Sequence, residues 1–102
     1  MKAKNKSRLP ATPSTPQPRS LTDADLDRLG EIFAHLLVEL REATGADRAD
    51  VAERAGLSYQ AVRMHELGQR APGFETLFKL ERGYARSAEW LLREVRRRFG
   101  RK

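Results

Sequence analysis

The chain has 102 residues, of which 39% are apolar, 7% aromatic and 33% charged, enough for one small domain with a modest helical core and unstructured ends. It contains no cysteine, which excludes disulfides, thiolate catalysis and Cys-based zinc sites. No uncharged run approaches the ~20 residues needed to cross a bilayer. The net charge of +6 sits in the ends: residues 1–19 carry five basic and no acidic side chains, residues 93–102 six basic and one acidic, and residues 20–92 nine basic against thirteen acidic. With an acidic body, any anion-binding surface must come from local placement of charge, the basic ends adding sequence-independent attraction to phosphates.

Residues 1–20 hold Pro10, Pro13, Pro16 and Pro18 among Lys, Ser, Thr and Arg, a composition that predicts a disordered basic arm. Two readings of the arm stay open, a solubilising tail or an arm that follows a DNA backbone or enters a minor groove. Lysines pass into prolines without the apolar segment of a secretory signal, which leads to the expectation of a cytoplasmic protein. The rest, residues 21–99, is expected to form one domain, followed by a basic tail at 100–102.

The first helix is expected from Thr22, a cap with Asp23 and Asp25 in the first turn, to Thr44, with Gly45 just beyond. Leu26, Leu29, Phe33, Leu36, Leu37 and Leu40 recur at helical spacing and predict its core stripe. Ala34 and Val38 widen the apolar arc, either as a partner surface or as ordinary half-exposed small residues.

Asp47 to Pro72 is the most informative stretch. A second helix is expected over Asp47–Ala55 and a third over Tyr59–Leu67, joined through Gly56, where a helix-turn-helix needs its turn. Ala52 is small enough for close helix approach, Val51, Leu57 and Val62 supply apolar contacts, Ser58 can cap the third helix, and Gly68 suits a left-handed exit. The motif, residues 47–68, and the loop after it are charge-balanced, with Arg48, Arg54, Arg63 and Arg70 against Asp47, Asp50, Glu53 and Glu66.

A fourth helix should follow Gly73 with Phe74, Leu77, Phe78 and Tyr84 inward, its end made doubtful by Gly83 and Ala85. The fifth should begin after Ser87 and carry Trp90, Leu91, Leu92, Val95 and Phe99. No alternating β-branched run or Asn-Gly or Asp-Gly hairpin argues for a strand. The fold class is therefore all-α. The chain has no adjacent nucleophile, base and stabiliser set, so no enzyme is expected, and His35 and His65 fall on different helix faces without a metal-ligand set or cofactor motif.

Ala52, Gly56, Leu57, Ser58, Val62, Glu66 and Gly68, then Pro72, FETLFKL and SAEWLL, occur in an order and spacing that resemble the Cro/cI-type (XRE) helix-turn-helix regulators of bacteria and phages, over about residues 29–92. The resemblance implies a five-helix, lambda-repressor-like domain, here with a long first helix. In such domains the second motif helix enters the major groove and dimers read two half-sites. Carried onto this chain, Tyr59, Gln60, Arg63 and Met64 are candidate base contacts, with Leu67 on the same side. Gln60 suits adenine, Arg63 a guanine or a phosphate, and Met64 a thymine methyl.

Arg48, where the family usually has glutamine, joins Ser58, Gln69 and Arg70 as candidate phosphate contacts. The same resemblance pairs Arg41 with Glu66 as a structural ion pair. His65, where the family has an apolar or aromatic residue, is directed inward as a neutral core histidine or a pH-sensitive group.

The partners expected are double-stranded DNA, in the nucleoid, and a second copy of the chain. Trp90, Leu91, Val95 and Phe99 of the fifth helix, among Arg93, Arg96, Arg97 and Arg98, are a candidate dimer interface; membrane binding by so short a basic helix is not expected. The function expected is a dimeric, sequence-specific transcriptional regulator, a repressor on an inverted-repeat operator. The alternative is a protein-binding module, an antitoxin or antiactivator.

Overall fold

A computed structural model describes residues 20–100, and residues 1–19 of the expected basic arm and the last two residues lie outside the described residues. Five helices follow one another: α1 Asp23–Thr44, α2 Arg48–Ala55, α3 Tyr59–Glu66, α4 Phe74–Tyr84 and α5 Ala88–Phe99. Among the described residues there is no strand, and no helix is long and apolar enough to cross a membrane.

Local chemistry sets the helix ends. Thr22 and Asp25 form a reciprocal capping box at α1, and Asp47 and Asp50 form another at α2, so Asp47 is the cap of α2 and not its first helical residue. Ser58 Oγ accepts the Ala61 amide and Ser87 Oγ the Trp90 amide, starting α3 and α5. Each such cap occupies one amide that the first turn leaves without a partner. Gly56, at φ +71°, ends α2, and the Leu57 amide then donates to the Ala52 carbonyl, which closes the helix-turn-helix turn. Leu67 is the C-cap of α3, and the left-handed step falls on Gly68.

The core is built from Leu36, Leu37, Val51, Val62, Leu80 and Leu91, all fully buried, each contributing about 1.5–3 kcal/mol of transfer free energy. The α2–α4 crossing explains Gly83. A Cβ there would stand 2.9 Å from Val51 Cγ1 and 3.2 Å from the Val51 carbonyl oxygen, so only glycine lets the two helices meet. Arg54 Nη2 donates to the Gly83 carbonyl across the same crossing. Helix α4 runs through Gly83 to Tyr84, and Ala85 takes the left-handed cap at φ +59°.

Several expected core positions lie elsewhere. Leu26 is exposed, at the wall of a groove that α5 and the loop after α3 border without closing. Phe74 and Phe78 are also exposed. Leu77, Leu80 and Tyr84 take the inward face of α4, which leaves the two phenylalanines on its flank, packed edge-to-face with ring centroids 5.2 Å apart. Leu92 is half out of the core of α5. Ala34 is buried, its Cβ 3.6 Å from where a Gly68 Cβ would sit, and is therefore packing for the α3–α4 turn and not a partner surface.

Candidate nucleic-acid interface

Helix α3 is short and amphipathic. Val62, His65 and Glu66 are buried, Ala61, Arg63 and Met64 half-buried, and Tyr59 and Gln60 exposed. So short a helix is marginal by itself in water, and its orientation is set by what holds its buried end.

That end is Glu66. Its side chain has no solvent exposure and receives hydrogen bonds from three other helices. Arg41 of α1 donates through Nε to both carboxylate oxygens at 3.0 and 2.8 Å, Arg48 of α2 donates through Nε to Oε1 at 2.9 Å, and Tyr84 of α4 donates its hydroxyl to Oε2 at 2.6 Å. Burial works to raise the Glu66 carboxyl, but the donors from Arg41, Tyr84 and Arg48 outweigh it and hold the group below the ordinary carboxylate value. The Tyr84 phenol moves the other way, pushed up by burial and then by its bond to Glu66.

Two cations facing one buried anion leave a net positive charge at the rim of this cluster. It borders a shallow concavity lined by Arg41, Asp47, Arg48, Ala49 and Tyr59 at the first turns of α2 and α3. Arg48 is pushed up chiefly by its bond to Glu66, with desolvation opposing and a hydrogen bond that it donates to Tyr59 adding to it. Arg48 is thus no free side chain waiting for a phosphate: its Nε is already committed to Glu66.

The loop after α3 is anchored as closely. The Gln69 amide donates to the Met64 carbonyl and the Gly68 amide to the His65 carbonyl. His65, 4% exposed, places Nδ1 at 2.8 Å from the Arg70 carbonyl oxygen. A carbonyl only accepts, so Nδ1 carries the proton. His65 holds the loop that presents Gln69 and Arg70, both exposed.

Tyr59, Gln60, Arg63 and Met64 thus share one side of α3, with Ser58 at its start and Gln69 and Arg70 just past its end. Of the four arginines between Asp47 and Pro72, Arg48 and Arg54 are bonded inside the protein, whereas the Arg63 and Arg70 guanidinium groups have no partner among the described residues. Met64 is half-buried, which limits how far it can project. Sequence reasoning missed Arg48 and Tyr84 as donors to Glu66; two arginines and a tyrosine around one carboxylate become legible only when the helices are assembled.

The α5 candidates are largely spent within the chain. Leu91 and Val95 are buried in the core, Trp90 lies under the Arg86 guanidinium at 4.7 Å, and Phe99 faces Arg28. Arg93 pairs with Glu89, Arg97 with Glu94, and Arg98 with both Glu94 and Glu39. Arg97 and then Arg98 draw the Glu94 carboxyl down to about 2. The basic end of α5 is therefore partly neutralised. No group of three or more His, Cys, Asp or Glu among the described residues could hold a metal ion.

A family model described as helix-turn-helix matches residues 37–91, more than half of the chain, from the middle of α1 into α5. No curated protein and no solved structure matches.

Proposed function

The chain belongs to the XRE-type helix-turn-helix family of DNA-binding regulators, and from that premise we propose that it is a homodimeric repressor that reads an inverted-repeat operator with the exposed side of α3. The observation that carries this reading is the attachment of α3. Its buried end is tied through Glu66 to α1, α2 and α4, while Tyr59 and Gln60 are exposed at its other end. A recognition element must be held rigidly by a scaffold and be open at the tip that meets the base edges.

Gln60 reads adenine through a bidentate pair, Arg63 reaches guanine or a phosphate, and Met64 packs against a thymine methyl from its half-buried position. Ser58, Gln69 and Arg70 supply phosphate contacts, and Arg48 contributes charge while remaining bonded to Glu66. Occlusion of a promoter requires no chemistry beyond this. The test is selection of bound sequences from a random duplex library by the wild type, Gln60→Ala and Arg63→Ala. Relaxed preference at one operator position in each variant supports base reading; unchanged preferences overturn it.

A further inference from the structure

A groove of about 720 Å³ runs between the N-terminal half of α1, the loop after α3, and α5, away from the concavity at α2 and α3. Its walls include Leu26, Leu29, Pro72, Leu77 and Leu92. Leu26 and Leu92 are half exposed, so this chain alone does not fill it. Gly30 also lines it, in the middle of a 22-residue helix. Glycine there costs up to about 1 kcal/mol relative to alanine. Nothing within the chain requires it: its φ is not positive, and an added Cβ would meet no atom within 4 Å.

Immediately beside the groove is a projection of matching character. Phe74 and Phe78, one turn apart, stand on the flank of α4 next to the inward-facing Leu77. Leu77 contributes to the groove wall, and the Phe74–Phe78 pair stands out from the same helix, 77% and 52% exposed. Arg70 lines the loop side of the groove, and the groove's acidic residues are both on α1. The α1 wall carries Asp27 and Glu31, and the flank beside Phe78 carries Lys79 and Arg82 against Glu75. None of these five side chains has a partner among the described residues.

A projection next to a cavity on one surface is the arrangement that a twofold axis satisfies reciprocally. We infer that this face is the dimer interface: the Phe74–Phe78 pair of each copy enters the groove of the other over Gly30, and Lys79 and Arg82 meet Asp27 and Glu31. The occupant is a second copy because the aromatic pair, the cavity and the opposite charges all lie on the one chain. A clustered aromatic anchor in a pocket with a charged rim is how binding energy concentrates at interfaces. The inference deepens the proposed dimeric regulator by assigning its interface to the N-terminal half of α1 and to α4, where the sequence offered Ala34 and Val38 of α1 or the apolar side of α5.

Self-association is measured without DNA, so its failure is separate from failure of the DNA reading. Sedimentation of the full chain from micromolar to submillimolar concentrations should show a monomer–dimer equilibrium. Phe78→Ser should weaken it by about tenfold or more. Gly30→Leu should weaken it too while raising the unfolding midpoint, which separates loss of the interface from loss of the fold.

The decisive arm uses two charge reversals. Asp27→Lys with Glu31→Lys, and Lys79→Glu with Arg82→Glu, should each be monomeric alone and form a heterodimer when mixed in equal amounts, since every rim contact is then between opposite charges. A wild type that stays monomeric throughout overturns the inference. So does a dimer that Phe78→Ser, Gly30→Leu and both reversals leave unchanged, or two reversals that fail to combine.

Discussion

The hydroxyl of Tyr84 donates to Oε2 of Glu66 at 2.6 Å, joining the last residue of α4 to the last residue of α3. Tyr84→Phe keeps the buried ring and removes one donor from a carboxylate that retains two arginines. Its expected cost is about 1.5 kcal/mol, the low end for a hydrogen bond to a charged group. Glu66→Gln leaves Arg41 and Arg48 facing each other across the site without a counter-charge. Their side chains are 15% and 23% exposed, so water offsets part of the penalty, and the cost expected is about 3 kcal/mol. Urea unfolding of both variants should give that order, and a larger loss for Tyr84→Phe would show that the ion pairs matter less than the phenol.

The same carboxylate sets an acid limit. In the unfolded chain a glutamate titrates near ~4.3, and in the folded protein the Arg41, Tyr84 and Arg48 donors hold Glu66 lower. A depressed folded value means that the unfolded state takes up the proton first. The stabilisation is fully present above the unfolded value and is lost as pH falls below it toward the folded one. The gap in unfolding free energy between wild type and Glu66→Gln should therefore hold steady from about pH 7 to about pH 5 and narrow below ~4.3. A gap that stays constant into strong acid would mean that Glu66 does not titrate differently on folding.

Two neighbouring positions in α4 should respond in opposite senses. Gly83→Ala gains helix propensity but drives a Cβ into Val51 Cγ1 at 2.9 Å and toward the Val51 carbonyl oxygen at 3.2 Å. Backbone does not yield easily, so the net loss expected is about 1–3 kcal/mol. Ala85→Gly relieves a left-handed alanine at φ +59° and should gain about 1 kcal/mol. Thermal unfolding of the pair reads both signs, and a stabilising Gly83→Ala would contradict the close α2–α4 crossing.

The helix ends were legible because caps are local. Thr22, Ser58 and Ser87 act on amides three residues away, and Gly45, Gly56 and Gly68 each take a left-handed step. Sidedness was legible where a helix is covered along its length, as at Leu36, Leu37, Val62 and His65. It was not legible where cover is partial. Leu26 has the spacing of a core residue, but that turn is covered only in part, and Phe74 and Phe78 share the apolar character of Leu77 without sharing its face. Gly83 looked like an irregular helix ending because the reason for it, Val51, lies 32 positions earlier in the chain. At the candidate site, the grouping of Tyr59, Gln60, Arg63 and Met64 follows from helical period alone. The second arginine and the tyrosine on Glu66 depend on the packing of three helices, which no period encodes.

His65 ties the loop after α3 to the core. Its Nδ1–H donates to the Arg70 carbonyl, and the adjacent Gly68 and Gln69 amides bond back to α3. His65→Phe keeps a ring of similar bulk and leaves the Arg70 carbonyl without its donor, so the loop rather than the core should respond. Destabilisation of about 1 kcal/mol is expected from one lost hydrogen bond. Hydrogen exchange at the Gly68 and Gln69 amides should accelerate while the Val62 amide in α3 keeps its protection, because opening is local to the loop. If the phosphate-contact assignment of Gln69 and Arg70 holds, DNA affinity should fall similarly across sequences, since a misplaced phosphate contact loosens grip without altering which bases are read. Uniformly faster exchange throughout α3 would instead make His65 a general core residue with no special hold on the loop.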